Sequence, residues 1–207
     1  MLQAHGQDDA ELTRRYLEQM EREVGYLQRL TDHLLALATV EEGADAPRVS
    51  LDLSHMLYEF ADHVSAVVQQ AGLTLQVDVP DHLPRIEANP EQMVMLIRNL
   101  VDNAIHYTRR GGTVTLAARQ VNGYVEIRVS DTGMGIPPEE LPHIFDRFYR
   151  VDRARTRRQG GTGLGLSLVR SIAEAHGGRV EVDSRVNVGT TFTIYLPIGQ
   201  SRDNDAA

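Results

Sequence analysis

Gly160-Gly161-Thr162-Gly163-Leu164-Gly165-Leu166 places four glycines in six residues, directly before an apolar helical segment. Where side chains are absent, backbone N–H groups can approach a ligand closely. The helix that follows presents unpaired N–H groups and a positive dipole end. That arrangement suits phosphate. A glycine-rich turn before a helix is also common as plain loop, so its meaning depends on what else the chain carries.

The surrounding 207 residues are 42% hydrophobic and 24% charged, the balance of a globular protein with one ordinary domain and an appended element. Net charge is −8, which argues against general nucleic-acid binding. There is no cysteine, which excludes disulfides and thiolate chemistry and permits the cytosol. No run of about 18 apolar residues appears, and the first residues lack an apolar signal core. All 21 basic residues are arginine. A P-loop needs a lysine on the β/γ-phosphates, and a eukaryotic-type protein kinase needs one on its third strand, so both classes are excluded. A dinucleotide fingerprint beginning at Gly161 would require glycine where Leu166 stands.

Residues 11 to about 40 read as one long helix. Leu17, Met20, Val24, Leu27, Thr31, Leu34 and Ala38 alternate spacings of three and four, a heptad seam flanked by Tyr16, Leu30 and Leu37. A seam this long on a terminal helix seeks a partner helix; the plainer alternative is packing on its own domain. Glu41 to Pro47 is a polar break, and the division falls at 1–46, 47–199 and a polar, disordered tail 200–207. Beyond the break the pattern is compact α/β. Ser54 to about Ala71 is helical, Leu73–Val79 alternates as a strand, and Pro90 opens a second helix to about Thr108. Thr113–Val121 and Tyr124–Ser130 form a hairpin around Asn122-Gly123. Residues 132–163 have no period and read as a long functional loop with one short helix, anchored in the core by Phe145 and Phe148. Leu164–Ala175 is helical, and Arg179–Ser184 with Thr190–Leu196 makes the last hairpin.

Four positions or clusters carry candidate chemistry. Asn99 and Asn103 lie four apart on one helix face; they are surface polar residues or a pair of oxygens for Mg²⁺. His106 and Tyr107, a turn further on, are within reach of a phosphate or ribose. Asp131 ends a strand before Thr132-Gly133-Met134-Gly135-Ile136, either as a turn former or as a fixed carboxylate for the adenine amino group, with Gly133 and Gly135 passing under the base. Arg147, Arg150, Arg153, Arg155, Arg157 and Arg158 crowd twelve residues, a solvated run, an RNA contact or a guanidinium reservoir for polyphosphate.

In order, Asn99–Thr108 resembles the N box of sensor histidine kinases, Asp131–Ile136 their first glycine box, Ile144–Arg150 the F box and Gly160–Leu166 the second glycine box. The resemblance spans about 50–197. It implies an α+β fold, the two-layer α/β sandwich known as the Bergerat ATP-binding fold: a mixed sheet with helices on one face, here preceded by the long N-terminal helix. It implies ATP and Mg²⁺ as ligands, with Asn103 on the metal and Asn99, Arg150 and Arg147 as catalytic positions. Asp131 would read adenine, and Tyr107 would line the nucleotide. His106 stands where the family often has lysine. Gly133, Gly135, Gly161, Thr162, Gly163, Leu164 and Gly165 would shape the cradle. The helix at 11–40 resembles the second helix of the family's dimerisation and phosphoacceptor hairpin. His5 and His55 lack the phosphoacceptor context, so the chain reads as the ATP-binding half of a larger kinase, unable to phosphorylate itself. The implied partners are the parent's phosphoacceptor helices, a response regulator and a second copy through helix 11–40, on the cytoplasmic side of a parent that could be membrane-anchored. The alternatives are an ATPase or anti-sigma serine kinase of the same fold, or a noncatalytic interaction module.

Overall fold

The computed structural model describes residues 3–41, 47–151 and 162–199. The division expected near 46, the tail at 200–207, Gly160, Gly161 and the arginines at 153, 155, 157 and 158 lie outside the described residues. The elements run α1 (Gln3–Glu41), β1 (Val49–Leu51), α2 (Leu53–Gln70), β2 (Thr74–Asp78), β3 (Ile86–Ala88), α3 (Pro90–Tyr107), β4 (Thr113–Val121), β5 (Tyr124–Asp131), α4 (Gly165–Ala175), β6 (Arg179–Arg185) and β7 (Gly189–Pro197). Among the described residues, no helix is long and apolar enough to cross a membrane.

Local chemistry fixes the helix starts. The Asp52 carboxylate caps α2 by accepting the His55 N–H at 3.1 Å. The Asn89 side chain caps α3 by accepting the Gln92 N–H at 2.9 Å, with Pro90 in the first turn. α4 differs: Leu164 stands at its N-cap with no side-chain hydrogen bond, so the first amides of α4 lack a side-chain cap.

Five strands form a mixed sheet in the order β2-β4-β5-β7-β6, with β2 parallel to β4 and the rest antiparallel. Period-two alternation puts Val114, Leu116 and Ala118 of β4, Val125, Ile127 and Val129 of β5 and Phe192, Ile194 and Leu196 of β7 into one core with the helices. The other face is polar. There Glu126 is buried between Arg119, whose Nε lies 2.6 Å from Oε1, and Arg128, whose Nε lies 2.8 Å from the same oxygen. Burial pushes the Glu126 carboxyl up, but the two guanidinium groups outweigh it and hold it below the usual carboxylate range. β1 and β3 form a separate two-stranded antiparallel ladder that the sequence pattern did not disclose.

Within the described part of the long loop no α-helix forms. Instead Glu140, His143, Asp146 and Tyr149 each bond back to the carbonyl three residues earlier, a chain of turns. The long helix, moreover, has two apolar faces. Its flank, with Leu37 buried and Leu30, Ala36 and Val40 partly buried, packs on the hydrophobic core beside α4. The heptad seam points elsewhere: Leu17, Met20, Val24, Leu27 and Leu34 are between 46% and 64% exposed. The flank thus packs on its own domain, while the seam lies exposed.

Candidate functional site

The register explains why Asp131 can act. Directly opposed residues on paired strands share a face, and Asp131 stands opposite Val114 on β4 and Thr190 on β7. Those positions continue the rows that fill the core, so the carboxylate ends β5 on the helix side. Its Oδ1 accepts the Gly133 N–H at 2.8 Å. Burial raises its pKa, against the opposing backbone N–H groups of Gly133 and Thr190.

The glycines around Asp131 are there because backbone must touch backbone. A Cβ on Gly133 would lie 2.5 Å from the Tyr107 carbonyl oxygen, and one on Gly135 2.1 Å from that of Arg185. Met134 N–H donates to Tyr107 O at 3.2 Å, and Asn187 N–H donates to Met134 O at 2.8 Å. The first glycine box is thus sewn between the end of α3 and the β6–β7 turn.

This turn supplies residues that sequence reasoning missed. Gly189 has φ +141°, and a Cβ there would lie 1.9 Å from the Asp131 carbonyl oxygen. Only glycine permits both the conformation and the approach. Ser184 Oγ donates to Gly189 O at 3.1 Å, accepts the Ile136 N–H at 2.8 Å and lies 2.9 Å from Thr190 Oγ1. A glycine opening the last strand in Gly189-Thr190-Thr191 was the available signal.

α3 brings its polar face against α4. Asn99 Nδ2 donates to Met95 O at 2.8 Å, and Asn99 Oδ1 lies 2.7 Å from where a Gly165 Cβ would stand. Gly165 therefore lets α4 begin directly on Asn99. Asn103 and His106 are half-buried on the same helix, and the His106 and Tyr107 rings meet edge to face with centroids 4.7 Å apart. Among the described residues no cluster of His, Asp or Glu could hold a metal ion by itself. The amide oxygen of Asn103 fits Mg²⁺ that arrives with phosphate oxygens and water, not a protein cage.

The F box joins the second glycine box. Phe148 N–H donates to Gly163 O at 2.9 Å, and Gly163 has φ +72° with the Phe148 backbone where a side chain would go. Phe145 is anchored as expected, its ring edge-to-face with Phe192 at 6.3 Å and under the Arg170 guanidinium at 5.2 Å. Phe148 is not: its side chain is 61% exposed and its φ is +62°, a conformation that costs any residue with a Cβ. Arg147 is exposed. Arg150 directs Nε and Nη2 inward, where neither finds a hydrogen-bond partner among the described residues. The Tyr149 carbonyl oxygen, one residue away, borders Gly163. A buried guanidinium without an acceptor is costly, and a phosphate would supply one. Thr162 is buried and its Oγ1 accepts the Leu164 N–H at 3.3 Å. The Leu164 side chain is fully buried in the core, so only its backbone is available to a ligand. Gly161 lies outside the described residues.

A carboxylate at one end, an amide-bearing helix in the middle and an uncapped helix start with a buried guanidinium at the other define a nucleotide site. Residues 88–200 match the family described as Histidine kinase-, DNA gyrase B-, and HSP90-like ATPase, and the chain belongs to it. Within that family it is 34% identical over 191 residues to the sensor-like histidine kinase SenX3 of Mycobacterium tuberculosis, covering 92% of this chain and 46% of that protein. It is 33% identical over 204 residues to the sensor protein kinase WalK of Staphylococcus aureus, covering 95% and 48%. Full-length ShkA in complex with AMPPNP shares the fold with a TM-score of 0.74 at 27% identity, over 91% of this chain and 39% of that one. The catalytic domain of the histidine kinase ThkA gives 0.64 at 26% identity, over 73% and 95%. The chain spans about half the length of the curated relatives it matches. The α+β fold expected from the sequence, mixed sheet and leading helix included, is the fold observed.

Proposed function

We propose that this chain is the ATP-binding catalytic part of a sensor histidine kinase, passing the γ-phosphoryl group of Mg–ATP to a histidine on a dimerisation hairpin for relay to a response regulator. The observation that carries the reading is that both glycine boxes meet α3, Gly133 against the Tyr107 carbonyl and Gly165 against the Asn99 side chain. Asp131 accepts the adenine amino group, Tyr107 lines the nucleotide, and the α4 amides with Arg150 hold the phosphates. Asn103 holds Mg²⁺, which when bound offsets charge on the phosphate oxygens. The acceptor imidazole attacks the γ-phosphorus in line, the bond to the β-phosphate oxygen breaks, and ADP leaves. The protein positions these groups and supplies cationic and amide donors.

Residues 1–46 act as a dimerisation segment, 47–199 as the catalytic unit and 200–207 as a tail. The exposed seam of α1 pairs with the hairpin mate or with a second copy. The site faces the cytoplasm, on the inner side of any anchor the parent carries.

Two experiments test this. Asp131→Ala weakens Mg-dependent ATP binding by about ten- to a hundredfold, as loss of a hydrogen bond to a charged acceptor requires; equal affinities by calorimetry would remove the adenine assignment. Given γ-labelled ATP, the chain alone takes up no acid-labile phosphate, while an added hairpin carrying the phosphoacceptor does. His55 is exposed on α2, where its Nε2 lies 3.3 Å from Glu59. Acid-labile label on this chain that disappears in His55→Gln would make His55 the acceptor and overturn the relay as drawn.

A further inference from the structure

The docked face of α1 carries one polar side chain into the nucleotide turn. His33 stands between Leu30 and Leu37 at helical spacing, and its Nδ1 lies 3.1 Å from Thr162 Oγ1, across 129 residues of sequence. The same Oγ1 accepts the Leu164 N–H. The two contacts form a relay from imidazole to hydroxyl to the backbone amide at the N-cap of α4. We propose that His33 is a positioning residue for the nucleotide turn: α1, by docking, fixes the Thr162–Leu164 segment through this one side chain and so preorganises the phosphate end of the site. The proposal rests on the nucleotide reading given above.

Three observations support it. First, α4 has no other side-chain cap, so Thr162 is the only side chain among the described residues that bonds the Leu164 amide. A serine or threonine hydroxyl free to rotate holds such a turn weakly; one engaged on its far side holds it in a single rotamer. Second, Gly163 is committed on its other flank by the Phe148 N–H, so the turn is gripped from the F box and from α1. Third, the imidazole is kept neutral, as the relay requires. Burial lowers its pKa, Asp32 opposes this and Arg29 adds to it. These are the charged groups acting on His33 from its own helix. From α3 the charged groups nearby are Asp102 and Arg98, with Arg29 and Arg98 both acting on the Asp102 carboxyl. From the α4 side come Thr162 and the positive end of the helix, which disfavours an imidazolium. With Nδ1 bare, the ring accepts the Thr162 hydroxyl proton and leaves the oxygen lone pairs for Leu164. A protonated ring would donate to the hydroxyl oxygen instead, leaving the hydroxyl proton without this acceptor, and would add positive charge beside the start of α4.

The test uses the whole chain in three forms: wild type, His33→Ala and His33→Asn, the last placing an amide where Nδ1 stands. At pH 8, His33→Ala binds the Mg²⁺ complex of a nonhydrolysable ATP analogue about three- to tenfold more weakly, the range of one net hydrogen bond. His33→Asn stays within about twofold of wild type. Between pH 8 and pH 5, a window that extends below the ordinary histidine value of 6.5, the wild type loses affinity relative to His33→Asn, a ratio in which the ionisation of the nucleotide cancels. Amide exchange at Leu164–Leu168, measured without nucleotide, is several-fold faster in His33→Ala and near wild type in His33→Asn. Equal affinity of His33→Ala and wild type, or tighter binding, overturns the proposal. So does a wild-type to His33→Asn ratio that does not move with pH. If no form binds nucleotide, the nucleotide reading falls, and the exchange rates still decide whether His33 holds the turn: unchanged protection in His33→Ala ends the proposal.

Discussion

The two ends of the nucleotide site are held by different means. At the Asp131 end, backbone meets backbone: Thr132 N–H on Thr113 O at 3.1 Å, Met134 N–H on Tyr107 O, Asn187 N–H on Met134 O, with glycines at each crossing. At the Gly163 end, groups remote in sequence meet: the His33 ring from α1 on Thr162, the backbone of Phe148 in a strained conformation on Gly163, and Arg150 aimed inward. The first end is part of the sheet and unfolds with it. The second is assembled on top of the fold and can be altered without dissolving it. A base needs a fixed edge to read, whereas phosphates that must enter and leave need a cradle that can be adjusted.

The largest effect expected from this contrast is at Gly189. Alanine there places a Cβ against the Asp131 carbonyl in a conformation alanine does not hold, and we expect a loss of about 3 kcal/mol or more in urea unfolding. A folded, fully stable Gly189→Ala would show that the base end is as adjustable as the phosphate end. Next, Arg150→Ala should lower ATP affinity about tenfold while ADP affinity barely changes, since the γ-phosphate would be the group contacted. Equal losses for both nucleotides would move Arg150 away from the γ-position, and a cooperative loss of fold would remove it from the adjustable end.

A pH titration of stability reads the rigid half. His176 is buried at the end of α4; its Nε2 accepts the Asn89 N–H at 3.1 Å and its Nδ1 lies 2.8 Å from Ile172 O, so the neutral ring joins α4 to the start of α3. Burial lowers its pKa from the ordinary 6.5, the Ile172 carbonyl opposes this and Arg48 adds to it. A depressed histidine contributes stability above its unfolded pKa and loses it as pH falls, because the unfolded chain binds the proton first. The loss by pH 5.5 is at most about 1.4 kcal/mol. It should shrink in His176→Gln; an identical pH slope in both proteins would remove His176 as its source. The smallest effect is at Phe148. Glycine relieves its positive φ and forfeits little burial, so Phe148→Gly should change stability by less than about 1 kcal/mol, while Phe145→Ala costs roughly 2–3 kcal/mol. Comparable losses at both would place Phe148 in the core after all.

Much of the rigid half could be read from the residues. Alternation marked β4 and β5, Asn122-Gly123 marked their turn, and helical spacing marked α3 and α4. The motifs around Asn99 and Gly165 also meet, and Gly133 beside Asp131 lies against Tyr107 at the end of the same helix. What escaped depends on quantities that periodicity does not carry. β1 is three residues long, too short to show a period, and is defined only by its partner β3. The exposure of Phe148 follows from one dihedral angle. Gly189 owes its role to an approach across the sheet. On α1 the pattern disclosed apolar faces but not what each meets: Leu30 and Leu37 on the docked side and Leu27 and Leu34 on the exposed one are three or four positions apart in sequence and only about 40–60° apart around the axis.

That same helix has a mechanical consequence. It is 39 residues long, about 58 Å, and among the described residues the side chains that pack into the core come from its last dozen. The remaining stretch, roughly 40 Å, is a rigid arm with its bearing beside Thr162. A tilt of about 10° at the bearing sweeps the far tip through about 7 Å, and a push of that size at the tip returns as a displacement of an ångström or two where the helix meets the glycine turn. The molecule carries its own lever, long on the side of the exposed seam and short on the side of the glycine turn.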